Sequence, residues 1–318
     1  MGFKFAMYPI GYQGIWYDGK RIRTLEEVAR VTKDQGWDGI VISGKRPLAS
    51  VLDRTNKDWK VFKELCNSLS LEIPCWETYS NFMGPTEESR EANMIWISEI
   101  LKASAAMEIT LVKIFAGWGG IVTRDGQGWY EDLPSPVYFR PPKVWNMVKE
   151  GITEACNMAD EYGITLGLQN HPPPFEFGYG DCLSMVKEIN HPRLKMVLDV
   201  SNMFGYTFFD RKVRNEPKHA IRYISDALRE CKDYAVHYTH LGGDSFIKKP
   251  NCTYAAVDAY GAPYNWEHFV KEWKTAGFDG WFAYENCGPN VEGGKYKDIA
   301  WMDERAICAL GYLRQITE

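Results

Sequence analysis

Short apolar segments alternate with amphipathic helical segments along the whole chain, and this alternation restricts the fold more than any other feature. Each apolar segment has the length of a buried parallel strand and is followed by a helical pattern. These segments lie at residues 3–10, 39–43, 71–77, 110–115, 164–168, 194–200, 234–241 and 280–284. Eight such units are the number that closes a parallel barrel. The sequence therefore predicts an α/β fold, a single (βα)8 TIM barrel that occupies residues 1–318.

A repeated six-residue pattern supports a fold built from equivalent units. Residues 35–40, QGWDGI, and residues 276–281, AGFDGW, each join the end of a predicted helix to the start of a predicted strand. The first glycine of each copy stands where a helix commonly ends. The two segments are therefore predicted to form the same helix-to-strand turn.

Charge and apolar content exclude several classes of protein. The 318 residues carry a formal net charge of -5 with a sequence pI of about 5.8, which disfavours binding to nucleic acid. Apolar runs are all shorter than the roughly 18 residues that span a bilayer, and residues 1–5 lack the pattern of a signal peptide. The eight cysteines include no CxxC pair. We therefore expect a cytoplasmic protein with reduced, mostly buried cysteines, and neither a nucleic-acid nor a membrane partner.

Polar residues follow the fifth predicted strand directly. Residues 164–168 are apolar, and the chain continues with Gln169, Asn170, His171 and three prolines. Proline cannot donate to a strand ladder, so the strand must end here. Because side chains alternate along a strand, Gln169 and His171 point to the same side. In a barrel this end of a strand is where the chemistry lies. A capped loop with a hydrogen-bonded histidine is the alternative interpretation.

Three further strands also end in polar residues. Asp199 lies near the end of the sixth strand, His240 lies near the end of the seventh, and Glu285 follows the eighth. With Gln169 they occupy four consecutive strand ends, which predicts a mixed oxygen and nitrogen site for Mn, Mg, Co or Zn. Singly, each has an alternative role as a cap, an ion-pair partner or a core histidine. His237 is an alternative to His240, but it faces the other side of the strand and lies farther from its end.

The same strand ends resemble motifs of the sugar phosphate isomerase/epimerase family, whose members have a xylose-isomerase-like TIM barrel. The matching segments are residues 168–171 (LQNH), 198–202 (LDVSN), 238–242 (YTHLG) and 283–286 (AYEN). The resemblance follows the chain in order over essentially its whole length. It implies that Asp199, His240 and Glu285 bind a divalent metal ion. Mn²⁺ is favoured, and Mg²⁺, Co²⁺ and Zn²⁺ are the alternatives.

Gln169 departs from the family pattern, in which a glutamate binds the metal and also transfers a proton. A glutamine still offers a carbonyl oxygen as a fourth ligand, but it cannot act as a base. The resemblance then leaves Glu285 and His171 as catalytic residues beside a carbonyl that the metal polarises. One base and an enolate suit lyase-type β-elimination from a keto-glycoside. The Gln-Asn-His variant is similar to barrel subunits that cleave glycosides of 3-keto sugars, including C-glycoside deglycosidases.

Two other functions stand as alternatives to this lyase reaction. The first is isomerisation or epimerisation of a keto-sugar, which begins with the same proton removal. The second is a non-catalytic sugar-binding or scaffolding subunit whose base was lost at Gln169. Substrate binding is assigned to Glu77, Lys113, Trp118 and Asn202. Alternatively, Lys113 forms a Schiff base with a carbonyl substrate, or Glu77 pairs with a neighbouring cation.

Long aromatic-rich segments follow the fourth and seventh strands, at residues 117–140 and 242–264. Segments of this length at the active face suit lids or surfaces that bind partners, and aromatic residues are typical interface anchors. We expect the active form to be an oligomer, either of this chain with itself or with a small second subunit. The aromatic residues concerned are Trp118, Trp129, Tyr130, Tyr254, Tyr260 and Tyr264.

Overall fold

The computed structural model of the chain describes residues 2–12, 23–84, 86–117, 142–171, 174–175, 178–199, 217–242, 245–257, 266–286, 291–292 and 295–318. Its strands are β1 (Lys4–Tyr8), β2 (Gly39–Ile40), β3 (Ile42–Ser43), β4 (Trp76–Glu77), β5 (Leu111–Ile114), β6 (Thr165–Gln169), β7 (Leu194–Val197), β8 (Tyr238–Gly242), β9 (Ser245–Lys248), β10 (Tyr254–Val257), β11 (Trp281–Glu285), β12 (Val291–Glu292) and β13 (Lys295–Tyr296). Its α-helices are α1 (Leu25–Asp34), α2 (Asn56–Ser68), α3 (Glu87–Ala106), α4 (Pro142–Glu161), α5 (Gly180–Ile189), α6 (Pro217–Cys231), α7 (Trp266–Thr275) and α8 (Ile299–Thr317).

Parallel pairing joins the strands into a closed barrel. One run of neighbours has the order β3-β4-β5-β6-β7, and the other has the order β2-β1-β11-β8. β2 and β3 are two halves of one predicted strand, interrupted at Val41, and they connect the two runs on one side. On the other side, a parallel bridge between Met196 and Ala235 connects β7 to the segment just before β8. The predicted α/β class and TIM barrel are therefore confirmed.

Apolar side chains fill the barrel in two layers, because alternate residues of each strand point to opposite faces. The inner layer lies within the ring of strands, where Tyr8 and Tyr238 pack with small residues such as Ala6 and Ala283. The outer layer lies between the strands and the surrounding helices and is much larger. Each buried Leu, Ile or Phe of this layer contributes roughly 1.5–3 kcal/mol relative to its exposed state. The inner layer lies beneath the polar strand ends, since Tyr238 precedes His240 by two residues on the same face.

The repeated turn predicted from the sequence has the same structure in both places. α1 and α7 are each followed by a glycine with positive φ, 90° at Gly36 and 84° at Gly277. In both turns the next residue donates its N–H back to a helix carbonyl, from Trp37 at 3.2 Å and from Phe278 at 3.1 Å. A side chain is strained at such φ values, so glycine is the residue that allows the chain to leave the helix directly into a strand.

The aspartate of each repeated turn holds the amino end of a neighbouring strand. The Asp38 carboxylate accepts a hydrogen bond from the N–H of Phe5 at 2.9 Å, and the N–H of Asp38 donates to the Phe5 carbonyl at 3.0 Å. A carboxylate oxygen of Asp279 lies 2.6 Å from Nδ1 of His237, the residue before β8. These contacts fasten β2 to β1 and β11 to β8 at the amino-terminal end of the barrel.

The segment after β8 differs from the expected loop. Its described part contains an antiparallel hairpin of β9 and β10, which packs on α8. There the side chain of Gln315 accepts from the N–H of Tyr254 at 2.8 Å and donates to its carbonyl at 3.2 Å. The strands of this hairpin have four residues each, too few for a clear period, and their partner helix is distant in sequence. The predicted loop after β5 lies outside the described residues from Trp118 onward.

Seven cysteines lie within the described residues, where all seven are free thiols and all but Cys252 are buried. Burial raises the pKa of thiols such as Cys75 and Cys182, which makes them structural rather than reactive. Within the part of the chain that the structure describes, no helix combines the length and the apolar content needed to cross a membrane.

Candidate active site

Polar side chains from neighbouring strands meet at the carboxyl end of the barrel. Parallel pairing brings the strand ends to one level, so that Glu77 lies beside Lys113 in register and Glu285 lies beside Gly242. Alternation along each strand directs these side chains to the inside of the barrel. The side chains that meet there are those of Glu77, Lys113, Gln169, Asp199, His240 and Glu285.

Asp199, His240 and Glu285 form a compact cluster, called here the triad. One ligand atom from each lies within 4.8 Å of the others. Nδ1 of His240 lies 3.0 Å from Oε2 of Glu285 and 3.8 Å from Oδ2 of Asp199. Asp199 and His240 are buried, and Glu285 is half-buried. Separations of this size allow one ion to contact all three residues, since bonds from a metal to oxygen or nitrogen are about 2.0–2.6 Å long.

Glu77 and Tyr238 hold the imidazole of His240 from the far side. Nε2 of His240 and the hydroxyl of Tyr238 both hydrogen-bond to Oε1 of Glu77, and all three side chains are buried. A proton on Nε2 leaves Nδ1 directed at Asp199 and Glu285. Metal-binding histidines commonly donate their second N–H to a carboxylate in this way, which fixes both the tautomer and the ring orientation. The triad therefore contains a histidine already oriented as a ligand.

Negative charge makes this part of the barrel selective for a cation. Burial disfavours the charged imidazole, but Glu77 and Glu285 outweigh it and raise the pKa of His240 to about 10. Burial also opposes ionisation of Glu77, but His240 and Lys113 lower its pKa to about 2. When His240 is neutral, three carboxylates and one lysine leave two formal negative charges. A divalent cation matches that excess, and two carboxylates with an imidazole form a donor set suited to Mn²⁺, Mg²⁺, Co²⁺ or Zn²⁺.

Lys113 and Gln169 connect Glu77 to the triad. Nζ of Lys113 lies 3.0 Å from Oε2 of Glu77 and donates to Oε1 of Gln169 at 2.8 Å. Nε2 of Gln169 in turn donates to Oδ2 of Asp199 at 2.5 Å, and it lies 3.5 Å from Nδ1 of His240. The amide therefore turns its nitrogen toward the triad and its carbonyl toward Lys113.

Asn170 fixes the backbone of Asp199. Oδ1 of Asn170 accepts from the N–H of Asp199 at 2.6 Å, and Nδ2 donates to the Asp199 carbonyl at 3.1 Å and to the Gly178 carbonyl at 2.8 Å. Gln169 and Asn170 are adjacent in the chain, so their side chains point in opposite directions and reach different parts of Asp199. Gln169 contacts the carboxylate of Asp199, whereas Asn170 holds its main chain.

His171 lies at the end of the same segment. Its N–H donates to the carbonyl of Gln169 at 2.8 Å, and its ring packs edge-on against Phe115 with the ring centroids 4.8 Å apart. Nζ of Lys113 lies 3.7 Å from the centroid of the same phenyl ring. His171 is buried. Phe115 therefore contacts both basic groups and fixes the position of the imidazole.

Hydroxyl groups line the side of the site that the first strands form. The ring of Tyr8 stacks on the imidazole of His240 with centroids 5.7 Å apart, and its hydroxyl lies 2.9 Å from that of Tyr79. The Tyr79 hydroxyl also lies 3.2 Å from Oγ of Ser43. Burial raises the pKa of both phenols, so their protons are available for hydrogen bonds. This row of hydroxyls suits a ligand with many hydroxyl groups of its own.

The structure brings some of the residues predicted to bind metal together and places His237 elsewhere. The three predicted ligands Asp199, His240 and Glu285 come together, and Gln169 contacts the first two through its amide nitrogen. The catalytic assignment of His171 and Glu285 stays a prediction. His237 is half-exposed and paired with Asp279 at the opposite end of the barrel. The structure thus favours His240 over His237 as the ligand.

Four residues were predicted to bind substrate. Glu77 and Lys113 are fully buried and bonded to one another, to His240 and to Gln169. The amine of Lys113 is enclosed by these partners and a phenyl ring, which favours an ion-pair role over a Schiff base. Trp118 and Asn202 lie outside the described residues.

Sequence reasoning missed several residues of the site, among them Tyr8, Asn170 and Tyr238. Tyr238 has a detectable signal, because it precedes His240 by two residues and therefore shares its strand face. Tyr8 also has a detectable signal, because it is the last residue of β1 and the triad residues likewise lie at or near strand ends. Asn170 has no such signal, since its contacts with Asp199 join residues on different strands.

Replacing Glu77 with glutamine is expected to lower the free energy of unfolding by about 3–5 kcal/mol, because it leaves the buried charge of Lys113 without its partner. Denaturant unfolding measures this change. Glu72→Gln is the matched control, since Glu72 pairs with Lys4 at 2.5 Å on the exposed surface, where a pair contributes about 0.2–1 kcal/mol. Equal effects of the two substitutions would contradict the structural role given to Glu77.

Comparison with known proteins gives a consistent picture of the fold. Residues 29–305 match the sequence profile of the family described as "Xylose isomerase-like TIM barrel". Comparison with curated proteins found no match. The structure is similar to D-psicose 3-epimerase with D-tagatose from Clostridium cellulolyticum H10 (14% identity, 99% of each chain covered, TM-score 0.69). It is also similar to 3-keto-D-glucoside 4-epimerase from E. coli (15%, 98% of this chain and 99% of that one, TM-score 0.66). A third similar structure is a xylose isomerase-like TIM barrel protein from Mycobacterium smegmatis in complex with magnesium (14%, 98% and 97%, TM-score 0.64).

Proposed function

Because the chain belongs to the xylose isomerase-like TIM barrel family, we propose that it is a divalent-metal-dependent enzyme acting on a keto-sugar. It removes a proton next to the carbonyl group and returns it, as an isomerase or epimerase does. The observation that carries this proposal is the triad: Asp199, His240 and Glu285 come from three different strands, yet their ligand atoms lie within 4.8 Å of one another. A structural neighbour is known in complex with magnesium, which is consistent with a divalent ion in a barrel of this kind, and Mn²⁺ is the ion we favour.

Each residue of the site has a separate role in the proposed reaction. A divalent ion held by the triad would polarise the substrate carbonyl and stabilise the charge that develops on its oxygen. His171 takes the proton from the neighbouring carbon, and the electron pair of that C–H bond moves toward the carbonyl. Glu285 is the second group able to hold or return a proton. The hydroxyls of Tyr8 and Tyr79 orient the sugar through hydrogen bonds.

The comparisons support isomerisation or epimerisation better than the elimination that the sequence analysis put first. The two named structural neighbours are epimerases of keto-sugars. Elimination from a keto-glycoside is the second candidate, and Gln169 favours it. The family has a glutamate at this position, whereas a glutamine cannot act as a base. This chain therefore has one fewer group that could return the removed proton to the substrate carbon. Both reactions share the first proton removal.

Solvent exchange tests the proposal. We expect the Mn²⁺-loaded protein to exchange the proton next to the carbonyl of a ketohexose or a 3-keto-glucoside for deuterium in D₂O, followed by NMR. Removal of the metal with a chelator should abolish the exchange. An epimeric product identifies the isomerase or epimerase reaction, and a released aglycone identifies elimination. Binding of the sugar without exchange would contradict both and favour the non-catalytic alternative.

Several earlier expectations stay predictions. We propose one catalytic domain over residues 1–318, an oligomeric active form and a cytoplasmic location. Of the aromatic residues expected to anchor an interface, Tyr254 lies in β10 and contacts α8, and the other five lie outside the described residues. Light scattering of the active protein measures the oligomeric state directly.

A further inference from the structure

Gln169 occupies a position from which either end of its amide can face the triad. The two orientations differ in chemistry, since the carbonyl oxygen can bind a cation and the NH₂ group can only donate hydrogen bonds. In the structure the NH₂ group faces the triad, at 2.5 Å from Asp199 and 3.5 Å from His240. Gln169 can bind a metal ion only if its carbonyl oxygen faces the triad, so the contact that fixes the orientation of the amide also determines whether Gln169 is a ligand.

Lys113 determines it. Its Nζ lies 2.8 Å from Oε1 of Gln169, and both side chains are buried, with relative exposures of 0% and 1%. The ammonium group has three donors and no acceptor. Turning the amide over would place its N–H groups against these donors, and buried donors without an acceptor are costly. Glu77, 3.0 Å from the same Nζ, keeps Lys113 in place.

We propose that Lys113 holds Gln169 as a hydrogen-bond donor to Asp199, so that the metal site of this chain has three protein ligands, and Gln169 is not one of them. This inference rests on the proposed function, because it assumes that the triad binds a divalent ion. It makes Gln169 and Lys113 positioning residues. It also leaves the ion with one more coordination position for water or a substrate oxygen than a site with a glutamate at this position.

The number of water molecules on bound Mn²⁺ tests this inference without any assay of activity. Water-proton relaxation measured over a range of field strengths gives that number. Gln169→Leu removes both ends of the amide and keeps the charge of the site. If Gln169 is not a ligand, the variant should keep the water number of the wild type. A gain of one water would show that the carbonyl was bound to the ion, and would overturn the inference.

Gln169→Glu provides a second, independent test of whether Gln169 is a metal ligand. One oxygen of the new carboxylate accepts from Lys113, and the other faces the triad as an added anionic ligand. We expect one fewer water on Mn²⁺ and binding tighter by about tenfold or more in calorimetric titration. An unchanged water number would mean that an oxygen already occupied this position. Gln315→Leu, which replaces an exposed glutamine on α8, is the matched control and should change neither the water number nor the Mn²⁺ affinity.

The outcomes separate the inference from the proposed function. If the wild type binds Mn²⁺ and Gln169→Leu gains a water, only the role of Gln169 is wrong. If the wild type binds none of Mn²⁺, Mg²⁺, Co²⁺ and Zn²⁺, both the metal-dependent function and the three-ligand site are wrong.

Discussion

Asp199→Asn is expected to remove the metal and the activity together. The substitution keeps the size of the side chain, but it removes one of the two carboxylates of the triad and one of the two uncompensated charges. Loss of an ion that stabilises developing charge costs several kcal/mol, and each 1.36 kcal/mol is tenfold in rate. We therefore expect turnover to fall by roughly 10³-fold or more. Metal analysis of the purified variant should find substoichiometric metal.

Another aspartate–histidine pair, that of Asp279 and His237, provides the control for this prediction. Asp279 lies 2.6 Å from His237, and both are about half exposed at the opposite end of the barrel. Asp279→Asn therefore changes the same chemical groups without touching the triad, and metal content and rate should stay at wild-type levels. An Asp199→Asn variant that keeps its full metal content and rate would contradict the metal site.

His171→Asn is expected to lower the rate by roughly 10²–10⁴-fold, the usual contribution of a general base, while the metal content stays unchanged. His171 is not one of the three residues whose ligand atoms form the cluster. An imidazole has an unperturbed pKa of about 6.5, which suits it to accept a proton near neutral pH. Deuterium exchange into the keto-sugar should fall in step with turnover, because both depend on the same proton removal.

A control for His171 is available at His191, in the turn between α5 and β7. Nδ1 of His191 accepts from the N–H of Arg193 at 3.1 Å, and an asparagine oxygen can replace that acceptor. His191→Asn should therefore leave both exchange and turnover unchanged. Should His171→Asn retain the wild-type exchange rate, the base lies elsewhere, and Glu285 and then Lys113 become the residues to test.

The fold was predictable because its signals are local. Each buried strand is a short apolar run, and polar residues at successive strand ends must meet once the strands are parallel. Asp199, His240 and Glu285 were therefore predictable as neighbours, although they come from three separate segments of the sequence. The hairpin of β9 and β10 was not predictable, since its four-residue strands are defined by packing on α8 rather than by their own pattern.

The finer arrangement of the site depends on contacts that no local pattern contains. The orientation of the Gln169 amide is determined by Lys113, which is brought to it from a neighbouring strand. The orientation of His240 depends on Glu77, which lies on β4, on the opposite side of the barrel from β8. Residue type and strand position identify which groups meet, but hydrogen bonding among them decides which atom each group presents.

The two repeated turns of the barrel matter for how such an enzyme can acquire new reactions. Through Asp38 and Asp279 they join β2 to β1 and β11 to β8 at the amino-terminal end of the barrel. The triad and Gln169 lie at the other end of the barrel and take no part in these contacts. A substitution at the carboxyl end of the strands, such as one at position 169, can therefore change the groups that meet a ligand without weakening the contacts that join the strands at the amino-terminal end.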